Sequence, residues 1–266
     1  MNRQIELFDG YLLPKNDLKV VNVSSVPQRS PFRYPGGKTW LIPVVRQWLR
    51  HGKKPKYLIE PFAGGAIVSL TAAFEGLSEL VLMSEIDNAI ADVWEVILNG
   101  ESKWFAEKIL SFEMLHENVI QQLQSEHELM RERAFCTILK NRVSHGGIMT
   151  KGAGIIKNGE KGKGISSRWY PKTLYDRIMA IGLVKDKITF LREDAFDIIQ
   201  KYKNDTDVAF FIDPPYTKAG KRLYTHSEID HEQLLKLTSE IKGKYMLTYD
   251  YTTEIEEFTK KYNLKL

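Results

Sequence analysis

The run Val208-Ala-Phe-Phe-Ile-Asp-Pro-Pro-Tyr-Thr217 holds the residues best suited to do chemistry. A fully apolar strand would deliver Asp213 to the edge of a sheet, and two successive prolines fix φ and push each preceding residue towards an extended conformation. The corner is therefore stiff. It sets the Asp213 carboxylate and the Pro214 carbonyl as two acceptors facing one point, with the Tyr216 ring as a flat face beside them. Such a pair with a stacking surface suits an exocyclic amino group on an aromatic base, which donates both hydrogens. Holding those hydrogens draws the nitrogen lone pair out of conjugation and towards an electrophile such as a sulfonium methyl.

A second stretch, Tyr57-Leu-Ile-Glu-Pro-Phe-Ala-Gly-Gly65, places Glu60 at the end of an apolar run, before a turn of small residues that opens onto a helix. The carboxyl edge of a parallel sheet is where open α/β folds bind ligands, and small residues there let the backbone come close. An acidic and aromatic turn suits a cationic ligand without phosphates, a description that S-adenosylmethionine meets. Glu85, in Ser84-Glu-Ile-Asp-Asn88, lies roughly twenty-five residues beyond Glu60, about where a nucleoside-binding fold puts the carboxylate for the ribose hydroxyls. Asp87 is its local competitor. A third stretch, Pro31-Phe-Arg-Tyr-Pro-Gly-Gly-Lys-Thr-Trp40, looks like the end of a phosphate-binding loop, yet Phe32 stands where that loop needs its first glycine. The polar, proline-punctuated residues before it read as loop rather than strand.

Positioning these groups requires a sheet. Tyr57–Glu60, Leu80–Met83, Lys187–Leu191, Val208–Ile212 and Tyr245–Tyr249 read as strands apolar on both faces. Helical patterns over 39–50, 66–74, 89–98, 195–202 and 231–241 alternate with them, which predicts a doubly wound α/β fold. From about Glu101 to Arg177 the alternation breaks. Helical stretches over 104–123 and 127–139 lead into a glycine- and lysine-rich segment, Ser144 to Pro171, expected to form a mobile basic insertion. Between Lys140 and Arg177 nine basic residues face two acidic ones, an excess larger than the whole chain's net charge of +4. Neither 43% hydrophobic nor 27% charged content suggests disorder or a membrane span, and the start of the chain lacks the apolar core of a secretory signal, so a cytoplasmic protein is expected. One cysteine, Cys136, excludes an intrachain disulfide and is poor material for a zinc site.

Phe32-Arg-Tyr-Pro-Gly-Gly-Lys38, Glu60-Pro-Phe-Ala-Gly64 and Asp213-Pro-Pro-Tyr216, in this order with an insertion before the last, resemble the motifs of the Dam-like, class α DNA adenine-N6 methyltransferases. The resemblance implies a Rossmann-like S-adenosylmethionine-dependent methyltransferase fold with strands ordered 3-2-1-4-5 and a further hairpin. Residues 1–100 and 178–266 would form the catalytic domain, 1–30 being an N-terminal extension, and 101–177 an inserted, mainly helical target-recognition domain. It also implies roles. Asp213, Pro214 and Tyr216 would be catalytic; Tyr34, Gly36, Gly37 and Lys38 would pack over the cofactor's methionine end, with Lys38 pairing its carboxylate. Glu60, Phe62 and Gly64 would contact the cofactor from the first turn, Glu85 would hold its ribose, Asp194 its adenine amino group, and Phe196 would wall the adenine pocket.

The implied activity is methyl transfer to the N6 of an adenine flipped out of duplex DNA, needing no metal; an RNA adenine methyltransferase or a silent nucleic-acid-binding relative are the alternatives. Arg142, Lys151, Lys157, Lys161 and Lys163 would touch phosphates, Arg168 and Trp169 would read bases, and His226 would line the mouth for the flipped base. Double-stranded DNA and a cognate restriction endonuclease are the implied partners. The chain departs from the family at three places. Ala66 replaces the first motif's last glycine; Val143-Ser-His-Gly-Gly-Ile-Met149 replaces the run found in GATC-specific members, which argues for another target; and Tyr262-Asn-Leu-Lys-Leu266 falls where the last strands would begin, as in a shortened form.

Overall fold

The computed structural model describes residues 4–8, 23–33, 37–149, 154–156, 159, 162–215 and 229–264. Its centre is a parallel sheet of β2 (Tyr57–Glu60), β3 (Leu80–Ser84), β4 (Ile188–Leu191), β5 (Val208–Ile212) and β6 (Lys244–Asp250), ordered β6-β5-β2-β3-β4. Counted along the chain from β2, that is the order 3-2-1-4-5. The expected hairpin position is filled differently: β1 (Gln4–Phe8) pairs antiparallel with β6, Gln4 opposite Asp250 and Phe8 opposite Met246. The sixth place in the sheet thus comes from the N-terminal segment.

Side chains alternate across the sheet as a period of two demands. Leu58, Val81, Met83, Ala209, Phe211 and Met246 enter one core; Ile59, Leu82, Phe210, Ile212, Leu247 and Tyr249 enter the other. Both faces are covered. α1 (Ile42–Arg50), α2 (Ile67–Glu75) and α3 (Asn88–Val96) pack on the first face, and α8 (Ala195–Tyr202), α9 (His231–Ser239) and α10 (Thr253–Lys261) on the second. The α10 helix was not expected from the sequence.

The segment between α3 and β4 folds as α4 (Ser102–Ser111), α5 (His116–Gln124), α6 (Met130–Val143) and α7 (Pro171–Leu183). The single helical stretch expected over 104–123 is two helices, broken at Phe112–Leu115, where Glu113's carbonyl accepts from Leu115 N and Asn118 Nδ2. Proline at its first position starts α7 well, and the boundary drawn at residue 177 falls inside this helix. Phe105, Phe135, Ile138, Trp169 and Ile178 join the same core as Leu41, Val68 and Trp94. An ion pair reinforces that junction: buried Asp92 of α3 receives Arg133 Nε of α6 at 2.8 Å and Arg192 Nη2, just past β4, at 2.7 Å. Within the glycine-rich segment, Ser144 and Ile155 form an isolated antiparallel bridge. Among the described residues no helix is long and apolar enough to cross a membrane.

Candidate active site

The strand order reverses at β2, so the carboxyl ends of β2 and its neighbours β3 and β5 frame a crevice. There a cavity of about 610 Å³ opens, within the range of small-ligand sites. Gly37, Lys38, Glu60, Phe62, Gly64, Glu85, Asp194, Phe196, Asp213, Arg142 and Arg168 all line it. Pro215 lines it where Pro214 was expected; Pro214 itself is buried. Lys163 is exposed and lies outside the lining. Tyr34, Gly36, Tyr216, Lys151, Lys157, Lys161 and His226 fall outside the described residues.

Asp213 follows β5 and is held at both carboxylate oxygens. Thr248 Oγ1, fully buried on the neighbouring β6, donates to Oδ1 at 2.6 Å. Lys38 Nζ, itself only 3% exposed, lies 2.8 Å from Oδ2. Lys38 thus pairs here with Asp213, a partner other than the methionine carboxylate that the resemblance implied. Asp250 ends β6 two residues beyond Thr248; its Oδ2 is buried without a hydrogen-bond partner among the described residues. Burial holds Asp250 above the usual carboxylate range, against the pull of Lys38 and with the push of Asp213. Thr248 and Asp250 went unrecognised in the sequence, where the only hint was a hydroxyl and an acid inside an otherwise apolar strand.

Glu60 stands at the end of β2 and accepts from Ser69 N in the first turn of α2 at 2.9 Å, satisfying one of that helix's unpaired donors. Burial dominates its titration: it raises the carboxyl to about 8, with Ser69 pulling down, Asp213 pushing up and Lys38 pulling down in turn. Because the folded value lies above the unfolded one, folded protein keeps a proton that the unfolded chain has released between pH 4.5 and about 8. The resulting stability is complete below that window and is lost as pH rises through it. Urea denaturation of the Glu60→Gln variant should give a flatter dependence of unfolding free energy on pH between 5 and 8.5 than the parent; an unchanged curve would remove Glu60 from this account.

The turn after Glu60 is clamped from several sides. Trp94 Nε1, buried on α3, donates to Gly64's carbonyl at 2.9 Å, and Gly64 N donates to Glu85 Oε2 at 3.0 Å. Ala66, where the family has glycine, adopts φ 51°, ψ 32°, a left-handed conformation that costs an L-residue roughly 1–2 kcal/mol. Glu85's other oxygen accepts from Asp87 N at 3.0 Å. The competitor Asp87 caps α3 by accepting from Ala89 N, and Asp194 caps α8 by accepting from Phe196 N at 2.8 Å. Phe32, at the position of the missing phosphate-loop glycine, is buried against Trp94 with ring centres 5.7 Å apart.

One expectation on the basic side changes, that for Trp169. Arg142, expected among the phosphate contacts, is only 4% exposed and lines the cavity wall. Trp169 is no base reader: it is 3% exposed and packs edge-on against Phe112 and Phe135. Its neighbour Tyr170 is turned outwards, 48% exposed, and lines the cavity.

The donor and acceptor set fits S-adenosylmethionine. Acidic side chains at Glu85 and Asp194 match ribose hydroxyls and an adenine amine, protonated Glu60 adds a polar group at the first turn, and Phe62 and Phe196 supply flat apolar walls. Residues 34–145 match the family model described as D12 class N6 adenine-specific DNA methyltransferase. A solved structure of the rRNA methyltransferase AviRa from Streptomyces viridochromogenes is 14% identical, covering 84% of this chain and 78% of that one, at a TM-score of 0.35, a likeness too distant to inform fold or substrate. No curated protein matches. Over residues 34–145 the chain is thus similar to the N6 adenine-specific methyltransferases, a family whose methyl donor is S-adenosylmethionine.

Proposed function

We propose that the protein methylates the N6 amino group of an adenine in DNA, taken out of the base stack and seated against Asp213. Extruding a base costs a few kcal/mol, so the site must repay that cost with directed contacts. The observation that carries the reading is the Asp213 carboxylate, fixed by Thr248 on one oxygen and presenting the other to a buried cation within the cavity. An adenine amine arriving there replaces Lys38 as donor to Oδ2. Asp213 then holds an N–H in place and leaves the nitrogen lone pair facing the cofactor side. Glu60, Glu85 and Asp194 would hold the cofactor, with Phe62 and Phe196 flanking its adenine. When bound, S-adenosylmethionine supplies a methyl group on a sulfonium, a good leaving group. What these side chains contribute is placement and electrostatics. The inserted helices 101–177 would present the target strand.

Incubation with S-adenosylmethionine labelled in its methyl group, in parallel with duplex DNA, single-stranded DNA and RNA, followed by nucleoside analysis, tests the reading. N6-methyldeoxyadenosine from duplex DNA is the expected product. Label recovered only from RNA would replace DNA as the substrate, and no label in any nucleic acid would end the proposal.

A further inference from the structure

The cavity has a second, basic side. Arg33 lies in the loop before Tyr34, Arg142 near the end of α6, Arg168 in the short helical turn Gly164–Arg168, and Arg177 on α7; all four line the same cavity as the carboxylates. The hydrogen-bond partners of Arg142 and Arg177 are main-chain carbonyls. Arg142 Nη2 donates to Pro31 O and Arg177 Nη1 to Ser30 O at 3.0 Å. Arg142 Nε and Arg33 Nη1 are buried with no hydrogen-bond partner among the described residues. Among the described residues, no carboxylate forms a salt bridge with Arg33, Arg142 or Arg177.

Gathering like charges in a buried wall is unfavourable unless something negative completes it. Burial, then the charges of Arg177 and Arg33, lower the Arg142 guanidinium to about 9, so it stays charged at neutral pH. Burial and then Arg168 lower Arg33. Guanidinium forks match the oxygens of a phosphate or a carboxylate. Beside them stands Tyr170, whose φ of 44° and ψ of 58° put a bulky residue in the left-handed region while its ring lines the cavity. Strain of that kind in a non-glycine residue points to a functional constraint. An exposed aromatic next to a cationic wall is the arrangement that binds a base together with its phosphate.

We propose that Arg33, Arg142, Arg168 and Arg177 grip the backbone phosphate of the substrate strand beside the target nucleotide, while Tyr170 stacks on the neighbouring base. The proposal rests on the nucleic-acid reading above and adds to it a subsite that selects a nucleotide within a strand over a free nucleoside. The cofactor's carboxylate is the other anion that such a wall would take.

Fluorescence anisotropy of a labelled single-stranded 20-mer, titrated with the full-length protein across a salt series, separates these. Arg33→Gln and Arg177→Gln are each expected to weaken oligonucleotide binding about tenfold and to reduce the salt slope by about 0.7. Tyr170→Ala should weaken it about tenfold, with Tyr170→Phe restoring it. A 20-mer with neutral methylphosphonate linkages needs no protein variant; it should bind the parent weakly and be indifferent to the arginine substitutions. Calorimetry with S-adenosylmethionine should give unchanged affinity in all variants. Unchanged oligonucleotide binding in the folded arginine variants overturns the proposal, and so does weakened S-adenosylmethionine binding with oligonucleotide binding intact, which assigns the wall to the cofactor. If the parent methylates no nucleic acid yet the variants lose oligonucleotide affinity, the subsite stands and the methylation reading falls.

Discussion

Replacing Asp213 by alanine should lower methyl transfer by ~10³-fold or more while leaving S-adenosylmethionine affinity within about threefold of the parent. The carboxylate is the group in the cavity that is fixed on both oxygens and aimed by a rigid diproline corner, so no neighbour can take its place with the same geometry. Asp250 comes nearest, but it lies two residues further along the adjacent strand. Single-turnover transfer of labelled methyl to DNA measures the first effect, and calorimetry with the cofactor the second. Alanine also removes a partner from buried Lys38. The stability cost should fall below the about 3–5 kcal/mol of a fully buried broken pair, because Asp213 is 23% exposed and Asp250 still acts on the lysine. Asp213→Asn keeps the shape and should lose transfer with a smaller change in urea midpoint. A fully active alanine variant would refute the catalytic role.

Asn141→Leu should destabilise the fold by roughly 3–6 kcal/mol, a large part of the 5–15 kcal/mol that a domain of this kind possesses. Asn141 is wholly buried near the end of α6. Its Oδ1 accepts from Arg33 N at 2.8 Å, while its Nδ2 donates to the carbonyls of Arg33 and Gly147, each at 2.9 Å. Leucine fills similar space but orphans three main-chain groups, Arg33 N, Arg33 O and the buried Gly147 O. Contact is close here: a side chain at Gly147 would come within 2.4 Å of the Arg33 carbonyl. Urea denaturation of the variant gives the number; a change below about 1 kcal/mol would mean that the loop carrying Arg33 is held by other contacts.

Much of the framework could be read from the chain. Tyr57–Glu60, Val208–Ile212 and α8 fall where expected because each is a short run sharply bounded by polar, glycine or proline residues. The α7 helix was hidden for a local reason: Leu174, Ile178 and Ile181 form an apolar stripe at helical spacing, but the lysines and glycines just before it made the region read as loop. Long-range polar contacts could not be read at all. Asn141 and Arg142 look like solvated residues at the end of a helix until residues 31–33, more than a hundred positions away, arrive to accept and donate. The same holds for Thr248, whose partner lies thirty-five residues earlier. With Trp169 and Tyr170, sequence favours the larger ring as the reader, whereas the start of α7 turns the tryptophan inwards and the tyrosine out.

The antiparallel pairing of β1 with β6 has a consequence for how the molecule meets its own kind. Lys244–Asp250 is a seven-residue strand whose outer row of amides and carbonyls is occupied, among the described residues, by Gln4–Phe8. Were that short ribbon to peel away, a long, straight hydrogen-bonding margin would lie bare, and bare margins recruit strands from other molecules. Residues 4–8 therefore cover that margin, tens of residues in sequence from the groups proposed to hold the methyl donor.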